Sequence, residues 1–87
     1  MNVLFSPEGF EDYRYWQTQD HKTLKKINAL ILAICRGNDD KTGKAEILKG
    51  ELSGFLSRRI NLKHRLVYRI EGDVVLITHC RYHYGDK

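Results

Sequence analysis

The spacing of hydrophobic and polar residues changes once along this chain, from a helical period to an alternation of two. The run "NVLF" (2–5) predicts a short strand, and "SPEG" stops it. Ser6, Pro7 and Glu8 then make a helix start: a hydroxyl to accept from an early N–H, a proline where no N–H is needed, and an acid at the positive helix end. This helix is expected to reach about residue 17, with Phe10, Tyr13 and Trp16 or Gln17 on its buried face. Asp20 caps a second helix through about residue 36. Its Leu24, Ile27, Leu30, Ile31, Ile34 and Cys35 recur at helical spacing, and Gly37 ends it. That stripe reads as core packing.

Residues 37–46 form a polar loop. From residue 55 the period is two: "FLSRRI", "HRLVYRI" and "VVLITHCRYHY" are rich in β-branched and aromatic residues, and the short turns "NLK" and "EGD" separate them. The predicted fold is α+β, in the order β-α-α-β-β-β, with two helices on one face of a small, mainly antiparallel sheet. At 87 residues the chain is expected to be one domain, 1–87. Alternation places Leu56, Arg58, Ile60, Leu66, Tyr68, Ile70, Val74, Leu76, Thr78, Cys80 and Tyr82 toward the helices. The opposite face would then carry Arg59, Arg65, Arg69, Arg81 and His83 together, with Arg59 across from Arg65. Like charges facing each other across a sheet are destabilising, and a phosphate between them reverses the sign.

Composition sharpens this only in part. A hydrophobic fraction of 41% and a charged fraction of 30% are those of a globular protein. The net charge of +4 favours anionic partners. It is also concentrated: from Lys41 to Arg69 the acids are Glu46 and Glu51, against Lys41, Lys44, Lys49, Arg58, Arg59, Lys63, Arg65 and Arg69. Cys35 and Cys80 make no CxxC pair and read as reduced core thiols. The start of the chain lacks a signal-peptide h-region, and "INALILAIC" is far short of a membrane span, so a cytoplasmic protein is expected. Cys80 alternates away from His79 and His83, which argues against a metal site there. Arg58 reads as a solvated strand residue, and His64, beside a turn, as exposed.

Arginines with an imidazole, and Glu46 and Lys49 on the adjoining loop, suit metal-free RNA cleavage. A 2′-hydroxyl attacks the neighbouring phosphorus. A base takes its proton, an acid protonates the departing 5′-oxygen, and cations hold the charge developing on the phosphorane. Histidine titrates near neutrality and suits the acid role. Tyr84 suits stacking on an unpaired base. On the residues alone, a non-catalytic RNA- or ribosome-binding sheet fits as well.

Taken together, "LKGELSGFLSRRINLKHRLVYRI" and the closing "CRYHY" resemble the YoeB-type (Txe/YoeB) toxins of the RelE superfamily. "YRYWQ", "KKIN" and "GKAEILK" extend the likeness over nearly the whole chain. The resemblance implies the RelE-like fold and the toxin of a type II toxin–antitoxin module, an mRNA interferase that cuts mRNA in the ribosomal A site without a cofactor. It implies a YefM/Phd-type antitoxin as partner; dimerisation through Trp16 and the first helix is compatible with it. Carried onto matching positions, Glu46 is the general base, His83 the general acid, Arg65 the phosphorane stabiliser and Tyr84 a substrate-positioning residue. Lys49 and Arg59 become phosphate contacts, and Arg81 joins them as an RNA-facing cation. Three features depart from the pattern: Leu56 where the family has Trp, Ile47 where it often has Pro, and a tail of Gly85, Asp86 and Lys87 past the usual end.

Overall fold

A computed structural model describes residues 1–37 and 45–82. Strand β1 (Asn2–Phe5) leads into helices α1 (Pro7–Gln19) and α2 (His21–Cys35). The strands β2 (Glu46–Ile47), β3 (Leu56–Arg59), β4 (Arg65–Glu71) and β5 (Val74–His79) follow, with a short 3₁₀ turn at Gly50–Leu52. The sheet order is β1-β5-β4-β3-β2. β1 runs parallel to β5, and the remaining pairs are antiparallel. The expected α+β class and the early placement of both helices hold.

Both helix starts form as their sequences dictate. Ser6 Oγ accepts from the Gly9 N–H at 3.0 Å, and Asp20 accepts from the N–H groups of Lys22 and Thr23. Ile27, Leu30 and Ile34 of α2 and Trp16 of α1 pack on Leu66, Tyr68, Val75, Ile77 and Cys80. Each such aliphatic side chain contributes roughly 1.5–3 kcal/mol when buried. Gly9 lets α1 approach the sheet: a Cβ there would run into the Ile77 carbonyl oxygen.

Five expectations are corrected. Glu46 and Ile47 are not loop but a two-residue strand on the β3 edge. In β5 the buried residues are Val75 and Ile77, whereas Val74 and Leu76 are only half-buried. The cause is a bulge: Tyr68 faces Ile77 and Val67 faces His79, so Thr78 is an extra residue and the alternation inverts across it. Phe10 stays half-exposed beside the Phe5 ring. Arg58 is buried, with its Nε donating to Tyr68 Oη at 3.2 Å. The last strand ends at His79, and Tyr82 adopts a left-handed φ of 63°.

Gly9→Ala is expected to push α1 off β5 and destabilise the fold by about 1–3 kcal/mol, as overpacking does. Urea unfolding should show a lower midpoint with an unchanged m value.

Candidate active site

The antiparallel register builds the site. Arg59 lies directly opposite Arg65, Ser57 opposite Val67, and Glu46 opposite Ser57. Paired residues share a face, and neighbouring strands are about 4.8 Å apart. Glu46, Ser57, Arg59, Arg65, Val67 and Arg69 therefore occupy one face, away from the helices. Ser57 and Val67 are fully buried and form its floor.

Arg65 is the best-sheltered cation on this face, with its side chain 14% exposed. Its Nη1 lies 3.8 Å from Glu46 Oε2 and 3.4 Å from Ser57 Oγ. Both separations exceed the roughly 2.7–2.9 Å of a charge-assisted hydrogen bond. Arg65 is thus held close to Glu46 without being locked to it, and its planar fork keeps donors for an anion. Arg59, across from Arg65, is exposed, as is Lys49, two residues past β2. The segment carrying Glu46 and Lys49 is fixed by Leu48, which is buried and donates its N–H to the Phe55 carbonyl at 3.0 Å. Arg69, further along the face, pairs with Glu71 at 2.9 Å and covers the Phe55 ring.

Arg81 behaves differently from its predicted group. Its guanidinium stacks 3.6 Å from the Tyr15 ring centroid and donates to Tyr82 Oη at 2.6 Å. It lines a cleft with Glu8, Glu11, Asp12 and Tyr15, so its contacts run to α1 rather than to the Glu46–Arg65 pair. His79 also turns toward α1, with Nε2 3.5 Å from Glu8 Oε2. His83 and Tyr84, and the tail that follows, lie outside the described residues.

The chain that leads to them is well fixed. Beyond the end of β1, helix α1 takes over the outer edge of β5: the Cys80 N–H donates to Asp12 Oδ2 at 3.1 Å, and the Trp16 indole donates to the Cys80 carbonyl at 2.7 Å. Two residues on, the bonds switch to the other edge. The Tyr82 N–H donates to His64 Nδ1 at 2.6 Å, and the Arg65 N–H donates to the Tyr82 carbonyl at 3.1 Å. His64, expected to be exposed, is half-buried edge-on to the Trp16 ring at 4.8 Å. Burial holds its pKa below the ordinary 6.5, Lys63 and Arg81 push it the same way, and Asp12 opposes them.

Asp12, Trp16 and His64 hold the chain that leads to residue 83; the sequence reading passed over Asp12, took Trp16 for core or an oligomer contact, and His64 for an exposed residue. A faint signal existed for Asp12: it stands among Gly9 and Trp16 on the buried face of α1, where a carboxylate needs a partner. Among the described residues, no group of three His, Cys, Asp or Glu side chains converges as metal ligands would. No described helix is long and apolar enough to cross a membrane.

Asp12→Ala removes the acceptor of a buried backbone N–H. Stability is expected to fall by about 1–3 kcal/mol, read by urea denaturation, while Asp12→Asn, which keeps a side-chain oxygen, retains more of it.

Comparison with known proteins gives a consistent picture. Residues 5–84 match the family described as "YoeB-like toxin of bacterial type II toxin-antitoxin system". Toxin YoeB of Escherichia coli K12 is 50% identical over 84 residues, which cover 97% of this chain and 100% of that one. Among solved structures, a YoeB/ParE toxin from Agrobacterium tumefaciens superposes with a TM-score of 0.91 at 38% identity, covering 97% and 100% of the two chains. The YoeB–YefM heterotetrameric complex from Staphylococcus aureus gives 0.87 at 48% identity, covering 97% and 98%.

Proposed function

The chain belongs to the YoeB-like toxins of bacterial type II toxin–antitoxin systems, and from that premise we propose that it is an endoribonuclease cutting mRNA in the ribosomal A site. The observation that carries this reading is the meeting of Glu46 and Arg65 at 3.8 Å on a helix-free face, with Arg59 directly across from Arg65. Two facing guanidinium groups repel each other, and a bridging phosphate turns that repulsion into binding.

In the proposed reaction Glu46 takes the proton from a 2′-hydroxyl as the oxygen attacks the adjacent phosphorus. Arg65 faces the charge that builds on the phosphorane oxygens. His83 gives a proton to the departing 5′-oxygen, leaving a 2′,3′-cyclic phosphate and a 5′-hydroxyl. Each proton is accounted for: Glu46 gains one and His83 loses one. Arg59 and Lys49 hold flanking phosphates, and Tyr84 stacks on a base of the codon. Arg81, drawn toward α1, serves at the edge of the bound strand.

The proposed partner is an antitoxin of the YefM type, whose acidic residues would cover the cationic face. The Staphylococcus aureus relatives include a YoeB–YefM complex and a YoeB dimer, which supports both an antitoxin and self-association here. Action on ribosomes places the protein in the cytoplasm.

Primer extension on translating ribosomes with a defined mRNA tests the reaction. Wild-type protein is expected to cut within the A-site codon. His83→Gln and Glu46→Gln are each expected to cut roughly 10²–10⁴-fold more slowly, the usual share of a positioned acid or base. Arg65→Lys, which loses the planar fork, should be impaired with normal folding. Equal cutting by wild type and His83→Gln would remove His83 from the acid role. Ribosome binding without cutting by the folded wild-type protein would establish the non-catalytic binding module instead.

A further inference from the structure

His64 stands outside the proposed reaction, yet it holds the chain that leads to it. His64 precedes Arg65, and its Nδ1 accepts the Tyr82 N–H at 2.6 Å. Tyr82 is the described non-glycine residue with a left-handed backbone, φ 63°, a conformation that persists only where the surroundings enforce it. The Tyr82 backbone is held by His64 and its neighbour Arg65, while the Tyr82 side chain also meets Arg81 and Lys63. The Arg65 N–H donates to the Tyr82 carbonyl at 3.1 Å, the Tyr82 ring lies 5.6 Å from the imidazole, and the Trp16 ring packs on its other side.

An Nδ1 that accepts must carry a lone pair, so the bond exists only when the ring is neutral with its proton on Nε2. We propose that His64 is a positioning residue: as a neutral imidazole it fixes the left-handed turn at Tyr82, from which residues 83 and 84 depart, and its protonation releases that turn. The proposal rests on the reading that residues 83 and 84 act on RNA beside Arg65. A misplacement of about 1 Å at a reacting group can lower a rate about 10²-fold, so a fixed departure point has kinetic weight.

The surroundings of His64 favour the neutral ring. Lys63 lies beside it in the chain and Arg81 approaches from the end of the chain; both are cationic, while the guanidinium of Arg65, next in β4, turns to Glu46 and Ser57. Asp12, from α1, is the opposing charge, while Trp16 and Tyr82 contribute ring faces and edges. The sign follows. Because the folded protein holds this proton less tightly than the unfolded chain, the contribution of His64 to stability is complete above pH about 6.5 and is lost as pH falls below it.

The test is NMR of the full-length protein, combined with the primer-extension assay. At pH 8 the His64 ring is expected to show the Nε2–H tautomer, and the Tyr82 amide to exchange slowly with solvent. On acidification the Tyr82 amide should shift along the same curve as the His64 ring. His64→Asn places an amide oxygen where Nδ1 sits and cannot titrate. It should keep the Tyr82 amide protected at all pH values and retain cleavage within a few-fold.

His64→Phe keeps a ring against Trp16 but accepts nothing. It should unprotect the Tyr82 amide and lower the cleavage rate about 10–100-fold, with ribosome binding unchanged. A Tyr82 amide indifferent to His64 titration in the wild-type protein overturns the proposal, and this needs no variant to fold. Equal cleavage by His64→Phe and wild type also overturns it. If neither wild type nor His64→Asn cuts RNA while the amide follows His64, the nuclease reading falls and the turn remains.

Discussion

Everything near the site depends on how the backbone of the last strand finds hydrogen-bond partners after β1 stops. β1 is four residues long and pairs with β5 only as far as Ile77. A buried strand edge with unpaired groups is expensive. Here the next groups are met by side chains: the Ser6 hydroxyl donates to the Thr78 carbonyl, and Asp12 and Trp16 reach out from α1 to Cys80. Residue 82 then turns to the opposite edge, where His64 and the Arg65 backbone take over. The two edges are satisfied by different elements, so the end of the strand is held between α1 and β4.

That arrangement gives the cationic face its order. Arg65 contributes twice, through its backbone to Tyr82 and through its guanidinium to Glu46 and Ser57. Its position is set by the strand, while its side chain is only loosely engaged. Arg59 is fixed opposite by register and Glu46 by a two-residue strand that Leu48 anchors. The rigid parts are main chain and apolar contacts, and the charged tips of Arg59 and Arg65 remain available, while that of Arg69 is taken by Glu71. The proposed grip on a phosphate needs this division, because ion pairs formed within the protein would compete with the ligand.

Much of this was legible in the residue pattern, and what was not has physical causes. Helix starts at Ser6 and Asp20 were readable because each rests on one local side chain. The facing of Arg59 and Arg65 was readable because a short turn fixes register. The phase of β5 was not, since the bulge that inverts it arises from pairing with β4 and leaves no mark in residues 74–80. Arg58 was misjudged because charge was weighed over its place on the inward alternation, beside Leu56 and Ile60. His64 was missed because its partner, the Tyr82 N–H, is a backbone group eighteen residues away. Glu46 and Arg65 meet in the structure, whereas His83, assigned to this face by alternation, and Tyr84 lie outside the described residues.

The sheet order carries a consequence for synthesis. β5 sits between β1 and β4, so the first strand made has its partner in the last one. Asn2 waits for Val74, and closing a loop of that length is slow and late. A growing chain lacks an interior strand of its sheet until residues 74–79 have emerged. The Cys80 and Tyr82 contacts need that strand in place, so the closure that completes the sheet also orders the chain beside the site.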